Sequence, residues 1–448
     1  MSKSKTKAGT LKKISQLLVI NANAAGIDVS DSEMMVAYPA DSGQLEIRPF
    51  GTFTEDLEAL AACLQENGVT TVAIESTGVY WVPLFLLLQE KGFEVFLVNA
   101  KHVKNVTGRK DDEGDAEWLQ KLHSCGLLSP SFQPDNQTRA LRDLVRQRKT
   151  LVRSNTTNLN RIQKVLELMN IKLHTIISDI DGKTGMDIIK AILDGERNPE
   201  RLADLRDPRI KASREEIIKS LEGCWTREHL FILGQGYRTH LHNKELIREC
   251  DSEIQQMLLE MIASKHEGVI PESEPRKRKV STKNKVDYDL TTRLKQIVGV
   301  DLTQVEGLSE LSVLAVLAEV GTDMSKWKTA KHFKSWLGLA PNHKISGGKL
   351  ISSRINKKKQ YAAQAFRQAA SGLHKNKGPM GDYYRRIRSK SGTPAAIVAT
   401  AAKLSTIFYC MVKDQQEYNP QSLINHQEKT KEKKISILRK KLAQLEAA

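Results

Sequence analysis

Short apolar blocks separated by polar turns run from residue 24 to about residue 125. Their period distinguishes strands, which repeat every two residues, from helices, which repeat every 3.6. The predicted strands are residues 25–29, 33–38, 44–49, 71–74 and 93–98, and the predicted helices are residues 53–66 and 82–90. The order βββαβαβ opens with a hairpin meander and matches a ribonuclease-H-like mixed sheet.

Beyond residue 135 the apolar positions recur at helical spacing. Leucines and valines at 3/4 spacing, with dense arginine between them, predict one long helix to about Met169, and a second covers residues 227–262. We therefore predict an α/β domain followed by all-α regions. The predicted parts are an α/β domain (24–130), a helical coiled-coil region (131–266), a basic linker (267–290), a helical domain (291–416) and a charged tail (417–448).

The chain has 448 residues, a formal net charge of +16 and 40% apolar residues, which predicts a globular protein that attracts polyanions. Nucleic acid is the favoured partner, since a distributed positive field is the footprint of phosphate binding. A membrane surface is the weaker alternative, because no apolar run approaches the roughly 20 residues that span a bilayer. Five scattered cysteines without a CxxC pair favour a reducing, cytoplasmic location.

Four acidic residues have the positions expected of a two-metal site. Asp28 and Glu75 lie at the ends of predicted strands, where a buried carboxylate is costly unless a cation offsets it. Asp112 and Asp115 stand three residues apart, so they share one face of a helix. Carboxylate oxygens suit Mg²⁺ or Mn²⁺, and a pair of such ions supports phosphodiester chemistry.

Neighbouring residues leave other interpretations open. Asp111 and Glu113 compete as ligands, and Asp111 also suits a helix cap. Arg109 and Lys110 could meet a phosphate or be solvated surface. The opening Gly26-Ile-Asp28 also begins actin-like ATPases, but the glycine-containing phosphate loop that follows in those proteins is missing from this sequence.

A second candidate site lies in Pro341-Asn-His-Lys-Ile-Ser-Gly-Gly-Lys349. Ser346 precedes two glycines and has Lys344 and Lys349 beside it, so its hydroxyl could approach a phosphate; on spacing alone, a plain β-turn is favoured. The basic residues continue as a possible backbone-binding stripe, with two aromatic residues beyond: Arg354, Lys357, Lys358, Lys359, Tyr361 and Phe366. Trp327, Phe333 and Trp336 are predicted to be core residues.

Together these segments resemble the DEDD transposases of the IS110 family, RNA-guided recombinases of insertion sequences. The N-terminal motifs similar to its RuvC-like domain are Gly26-Ile-Asp-Val-Ser30, Val72-Ala-Ile-Glu-Ser-Thr-Gly78 and Lys110-Asp-Asp-Glu-Gly-Asp-Ala116. In the third, Asp111 replaces the family's threonine. The C-terminal segments similar to its transposase domain are residues 297–321, Gly338-Leu-Ala-Pro341 and Ile345-Ser-Gly-Gly-Lys349.

The resemblance implies a site-specific recombinase that acts on donor and target DNA. The acids would hold Mg²⁺, and Ser346 would be the nucleophile that forms a transient phosphoserine link. It also implies a homo-oligomer, a dimer or tetramer, in which serine and acids come from different subunits. A structured non-coding RNA would choose both DNA partners by base pairing.

Two further hypotheses remain from the residues themselves. The first is a RuvC-like, structure-selective endonuclease that uses water as its nucleophile. The second is a non-catalytic nucleic-acid-binding protein in which the acids are structural.

Overall fold

The computed structural model describes residues 18–40, 43–99, 112–266, 284–355 and 360–421, together with residues 435, 436 and 439. The chain divides into two compact units between Gln133 and Pro134. That division lies three residues from the predicted end of the α/β domain. The division into five parts stays a prediction, and its linker and tail lie mostly outside the described residues.

In its described residues, the N-terminal unit has a five-stranded mixed sheet and three helices. The strands are β1 (Ala24–Val29), β2 (Met34–Pro39), β3 (Leu45–Phe50), β4 (Thr71–Glu75) and β5 (Glu94–Val98), and the helices are α1 (Thr54–Glu66), α2 (Trp81–Glu90) and α3 (Asp112–Ser124). The strand order is β3-β2-β1-β4-β5; β1, β2 and β3 are antiparallel neighbours, and β4 and β5 run parallel to β1. The predicted order βββαβαβ is confirmed, and the mixed sheet fits a ribonuclease-H-like domain.

The central strands are apolar on both faces because helices cover both sides of the sheet. Ile27 and Ile74 point into one core with residues of α1 and α2. Ala73 points to the opposite face, where it packs with Leu119 and Leu122 of α3. The edge strand β3 is largely exposed, which suits its polar residues.

Gly26 is the point of closest approach between α3 and the sheet. A Cβ atom at this position would lie 2.2 Å from the backbone nitrogen of Gln120 and 2.6 Å from the carbonyl oxygen of Ala116. Both are main-chain atoms that no side-chain rotation can move. Glycine in the middle of a strand therefore sets the depth at which α3 rests on β1.

Replacing Gly26 with alanine should destabilise the N-terminal unit by about 1–3 kcal/mol, because the added methyl group must push α3 off the sheet. Pulse proteolysis in urea, with surviving fragments assigned by mass, measures this unit separately. Gly372→Ala is the matched control, since a Cβ there meets nothing within 4 Å. If the N-terminal unit is as stable in Gly26→Ala as in Gly372→Ala, the close packing of α3 on Gly26 is contradicted.

His123, at the C-terminal end of α3, is hydrogen-bonded to the first residue of β4. Its Nε2 lies 2.8 Å from the hydroxyl oxygen of Thr71, whose proton is donated to the carbonyl of Glu94 at 3.0 Å. The imidazole therefore donates from Nε2. Burial lowers the pKa of His123 to about 4, so the ring is neutral at pH 7.

We expect the N-terminal unit to lose stability as the pH falls below 6.5. The pKa of His123 in the folded protein lies below its value in the unfolded chain. Its contribution to the free energy of unfolding is therefore fully present above pH 6.5 and is lost as the pH falls below that value. At pH 5 the loss attributable to His123 is about 2 kcal/mol. Hydrogen exchange in α3, corrected for intrinsic rates, should accelerate between pH 7 and pH 5 in the wild type and much less in His123→Gln. The same acceleration in both would contradict this.

Where the structure describes it, the second unit is built of helices and one hairpin. Its first helices are α4 (Asn136–Leu168), α5 (Leu173–Ile176), α6 (Lys183–Leu193), α7 (Pro199–Ala203), α8 (Arg214–Leu221) and α9 (Arg227–Lys265). The later elements are α10 (Leu290–Val298), α11 (Glu310–Val320), α12 (Ala330–Trp336), the strands β6 (Lys344–Ser346) and β7 (Lys349–Ser352), α13 (Tyr361–Gly372) and α14 (Pro379–Asp414). Both long helices predicted before residue 266 are confirmed.

The helices α4 and α9 pack along each other through a ladder of polar contacts. The Asn158 amide donates to the carbonyl of Gly236 at 2.7 Å, and the Asn155 amide oxygen lies 2.9 Å from Nδ1 of His240. Further along, Arg148 forms a bidentate ion pair with Asp251. These contacts fix the register of the two helices.

An aromatic cluster holds the C-terminal helices together. Trp327 and Phe333 are buried and pack with Trp336, Phe408 and Tyr409. The prediction that Trp327 and Phe333 belong to the core is confirmed. Among the described helices, α14 is long and apolar enough to cross a membrane, but half of that stretch is buried inside the unit.

Candidate active site

Asp28 and Glu75 are neighbours at the carboxyl ends of two parallel strands. Ile27 of β1 pairs with Ile74 of β4, so the next residue of each strand reaches the same edge of the sheet. Because Ile27 and Ile74 point into the core of α1 and α2, Asp28 and Glu75 point to the face that carries α3. The strand register therefore places these two predicted ligands at one edge of the sheet.

Glu75 is the more enclosed of the two acids. It is 7% exposed, whereas Asp28 is half-buried. Among the described residues, the hydroxyl of Thr77 donates to its Oε1 at 3.3 Å. A buried carboxylate needs a compensating charge or several donors, so this position suits a cation ligand.

The start of α3 lies at the same edge. Gln120 donates to the carbonyl of Ala24 at 3.1 Å, and Ala116, one turn earlier, lies against Gly26. The helix therefore runs antiparallel to β1, and its first turn reaches the level of Asp28. Asp115 is half-buried in that turn, and Asp112 is the first helical residue; the side chain of Asp112 lies outside the described part of the chain.

The acids at this edge have the chemistry of a hard-cation site. Oxygen ligands from Asp28, Glu75 and Asp115 suit Mg²⁺, and the buried position of Glu75 fits a cation partner. Among the side chains that the structure describes, no three His, Cys, Asp or Glu residues are close enough to hold a metal ion together. The residues fit a divalent metal in the type of ligand they offer, and the strand register brings Asp28 and Glu75 to one edge of the sheet.

Ser346 lies at the tip of a hairpin in the second unit. It pairs with Lys349 across a two-residue turn in which Gly347 and Gly348 have φ angles of +55° and +76°. Two consecutive positive φ values are the pattern of a type I′ turn, which glycine adopts without strain. The favoured turn prediction is confirmed, and Ser346 is exposed on it. Three apolar side chains of this hairpin are exposed as well: Ile345 (66%), Leu350 (57%) and Ile351 (68%).

Two family models match the chain. Residues 25–171 match a DEDD transposase model of IS110 elements, and residues 301–385 match the model described as "Transposase IS116/IS110/IS902 family". The chain belongs to the IS110 family of transposases. The first match contains the acidic edge and the second contains the Ser346 hairpin. No curated protein matches the chain.

An IS110-family transposase acts on DNA, and several of the predicted phosphate contacts lie on the hairpin segment. Lys344, Lys349 and Arg354 are all exposed. Arg109, Lys110, Lys357 and Lys358 lie outside the described residues. Phe366 is fully buried, so the prediction that it continues this stripe is wrong. The helix α13 turns its side chain into the aromatic core, where it packs on Phe408.

Four residues that position the acids of this transposase were missed by the sequence analysis. They are Gly26, Thr77, Gln120 and His123. The signal for Gly26 was present, since a glycine inside a strand marks a close backbone approach. Gln120 and His123 carry no such signal, because their partners are far away in the sequence.

Proposed function

We propose that this transposase transfers DNA strands by using Ser346 as its nucleophile, together with Mg²⁺ or Mn²⁺ held by Asp28, Glu75, Asp112 and Asp115. The observation that carries the proposal is the pairing of Ile27 with Ile74, which makes Asp28 and Glu75 neighbours where α3 begins. The exposure of Ser346 on a two-residue turn supports it, because a nucleophile must reach the phosphate without obstruction.

In the proposed reaction the Ser346 oxygen attacks the phosphorus of a phosphodiester. A new bond forms between the serine oxygen and phosphorus, and the bond from phosphorus to one deoxyribose oxygen breaks. The serine proton passes to a carboxylate of the acidic edge, and the leaving oxygen takes up a proton and becomes a strand-end hydroxyl. A strand-end hydroxyl then attacks the phosphoserine, which rejoins the DNA and restores the serine.

The acids and the lysines make different electrostatic contributions to the proposed reaction. A bound divalent metal would polarise the phosphate and stabilise the charge that develops on it. Lys344 and Lys349, on either side of Ser346, offset the phosphate charge as the DNA approaches the hairpin. Val79 and Tyr80, which follow Glu75 closely in the chain, are exposed at 72% and 43% and offer a surface for the DNA.

The partners form part of the proposal. The basic surface would bind a structured guide RNA as well as DNA, and the acids and Ser346 would meet between subunits of a dimer or tetramer. The exposed apolar side chains of the hairpin suit burial in such an assembly.

The direct experiment incubates the full chain with Mg²⁺, DNA carrying the element junctions, and the transcript of the non-coding DNA beside the gene. Denaturing electrophoresis should show a protein band shifted by covalently attached DNA. Cleavage without any covalent adduct would instead favour the water-using endonuclease. Binding without cleavage under these conditions would favour the non-catalytic reading.

A further inference from the structure

A groove of about 390 Å³ lies between α4 and α9, in the second unit. Its floor is apolar, with Ile162 and Ile232, and Asn158 stands at its inner wall. Arg161 and Arg238 stand exposed at its rim. This groove is distinct from the acidic edge, which belongs to the other unit.

The groove exists because the two helices approach closely on one side of it. The Asn158 amide donates to the carbonyl of Gly236, and a Cβ at Gly236 would lie 2.9 Å from Cγ1 of Ile162. Asn158 is 6% exposed, so its position is fixed by the helix pair. The floor is therefore formed in advance of any ligand.

The charged side chains that line the groove are both positive, Arg161 and Arg238. The helix α4 has no acidic residue from Leu144 to Leu166, and α9 has none from His229 to Lys244. Within the described part of the chain, no carboxylate pairs with Arg161 or Arg238. By contrast, Arg201, Arg209 and Arg214 on the neighbouring segments are each paired with an acid. Two unpaired guanidinium groups at one rim favour an anionic ligand.

The exposed face of α4 extends this positive surface beyond the groove. Lys149, Arg153, Thr157, Asn160 and Lys164 are all exposed at helical spacing. A series of cations and small polar side chains along a helix suits a phosphodiester backbone. This surface would continue the contacts of a phosphate-bearing strand beyond the groove.

We propose that this groove holds one unstacked nucleotide of a single-stranded nucleic acid, whose backbone follows the exposed face of α4. The base rests on Ile162 and Ile232, and the phosphates on either side meet Arg161 and Arg238. Unstacked bases are recognised by this combination of an apolar surface and charged or amide groups. Base-paired nucleotides are excluded, because a stacked base cannot reach the floor.

A second copy of this chain is the competing occupant. Phe231 and Leu241 are exposed on α9 beside the groove, and Ile232 within it is 45% exposed. A two-fold contact centred on the groove would bring the four arginines of the two copies close together. The charge pattern therefore favours a polyanion.

The inference rests on the proposed nucleic-acid function but not on the serine chemistry. The test compares the double variant Arg161→Ala/Arg238→Ala with Arg201→Ala/Arg209→Ala, which removes the same charge from the same unit. Affinity for labelled oligodeoxyuridylate and oligouridylate of about 20 nucleotides is measured over a range of salt concentrations. The groove variant should bind at least about tenfold more weakly, with the logarithmic salt slope reduced by about 1.4. The control should change less than about twofold.

The base is tested with an abasic strand of equal length. The wild type should prefer the strand with bases by about fivefold, and Ile232→Ser should remove this preference. A preference for oligouridylate would assign the groove to RNA. Equal affinities for the two oligonucleotides would assign it to single strands of either kind, and both results support the proposal. Equal weakening of the two double variants, or equal binding of strands with and without bases, would overturn it.

Oligomeric state, measured by mass photometry, separates the competing occupant. A groove variant that loses subunits while binding strands normally would show that this face is an interface between copies, and would overturn the proposal. The measured affinities do not involve the serine chemistry. A failure of the catalytic proposal would therefore leave this binding unchanged, and the two outcomes can be told apart.

Discussion

Replacing Ser346 with alanine should abolish the covalent protein–DNA adduct, reducing it by about a thousandfold or more, while DNA binding stays within about twofold. The serine oxygen is the atom that bonds to phosphorus in the proposed reaction. The fold should be unaffected, because Ser346 is exposed and the turn depends on Gly347 and Gly348. The measurement is the yield of shifted protein on denaturing gels.

Ser353→Ala is the matched control, since it removes another exposed hydroxyl from the same segment. It should form the adduct at the wild-type level. DNA cleavage that continues in Ser346→Ala at a normal rate would remove the serine from the reaction and favour water as the nucleophile.

Replacing Glu75 with glutamine should reduce adduct formation by about a thousandfold or more, since removing a metal ligand costs several kcal/mol of transition-state stabilisation. When both proteins are free of metal, the variant should be at least as stable against unfolding as the wild type, because it no longer buries a carboxylate. Mg²⁺ should raise the melting temperature of the wild type and not that of the variant. Activity and melting curves together separate a ligand from a merely structural acid.

Glu94→Gln provides the control in the same sheet. Glu94 is exposed and pairs with Thr71 at the opposite end of β4 from Glu75. This variant should keep both the adduct and the response to Mg²⁺. If Glu75→Gln keeps them as well, the acidic edge does not hold the metal.

The N-terminal sheet was predictable because its elements differ in period and in boundary residues. The strands β1 and β4 are short apolar runs, and α1 ends where Asn67 and Gly68 predict a C-cap. The acids at the ends of two of these strands then indicated a common metal site. The register that makes Asp28 and Glu75 neighbours needed the structure, since a shift of one residue would have turned one of them into the core.

The second unit shows where the sequence was less informative. The segment 291–416 was predicted to be helical, yet it contains the hairpin of β6 and β7. Its strands are only three and four residues long and expose Ile345 and Ile351, so their apolar pattern does not report burial. Phe366 was wrongly predicted to continue the exposed basic stripe, whereas it is buried. A helix next to basic residues gives no indication of which face meets the aromatic core.

The groove between α4 and α9 depends on contacts that a single sequence does not reveal. Asn158 resembles a surface residue on an arginine-rich helix, but it is buried against Gly236, 78 residues away. The absence of acids from Leu144 to Leu166 was visible in the sequence. Only the structure shows that this stretch faces the part of α9 that also lacks acidic residues.

The central claim is that Ser346 becomes joined to DNA in a reaction that requires the acidic edge. Mass spectrometry of the trapped adduct, after digestion with nuclease and trypsin, tests it most directly. We predict a nucleotide joined through its phosphate to Ser346 in the peptide Ile345-Ser-Gly-Gly-Lys349 of the wild type, and none in Glu75→Gln. A nucleotide attached to any other residue, or cleaved DNA without an attached peptide, would contradict it.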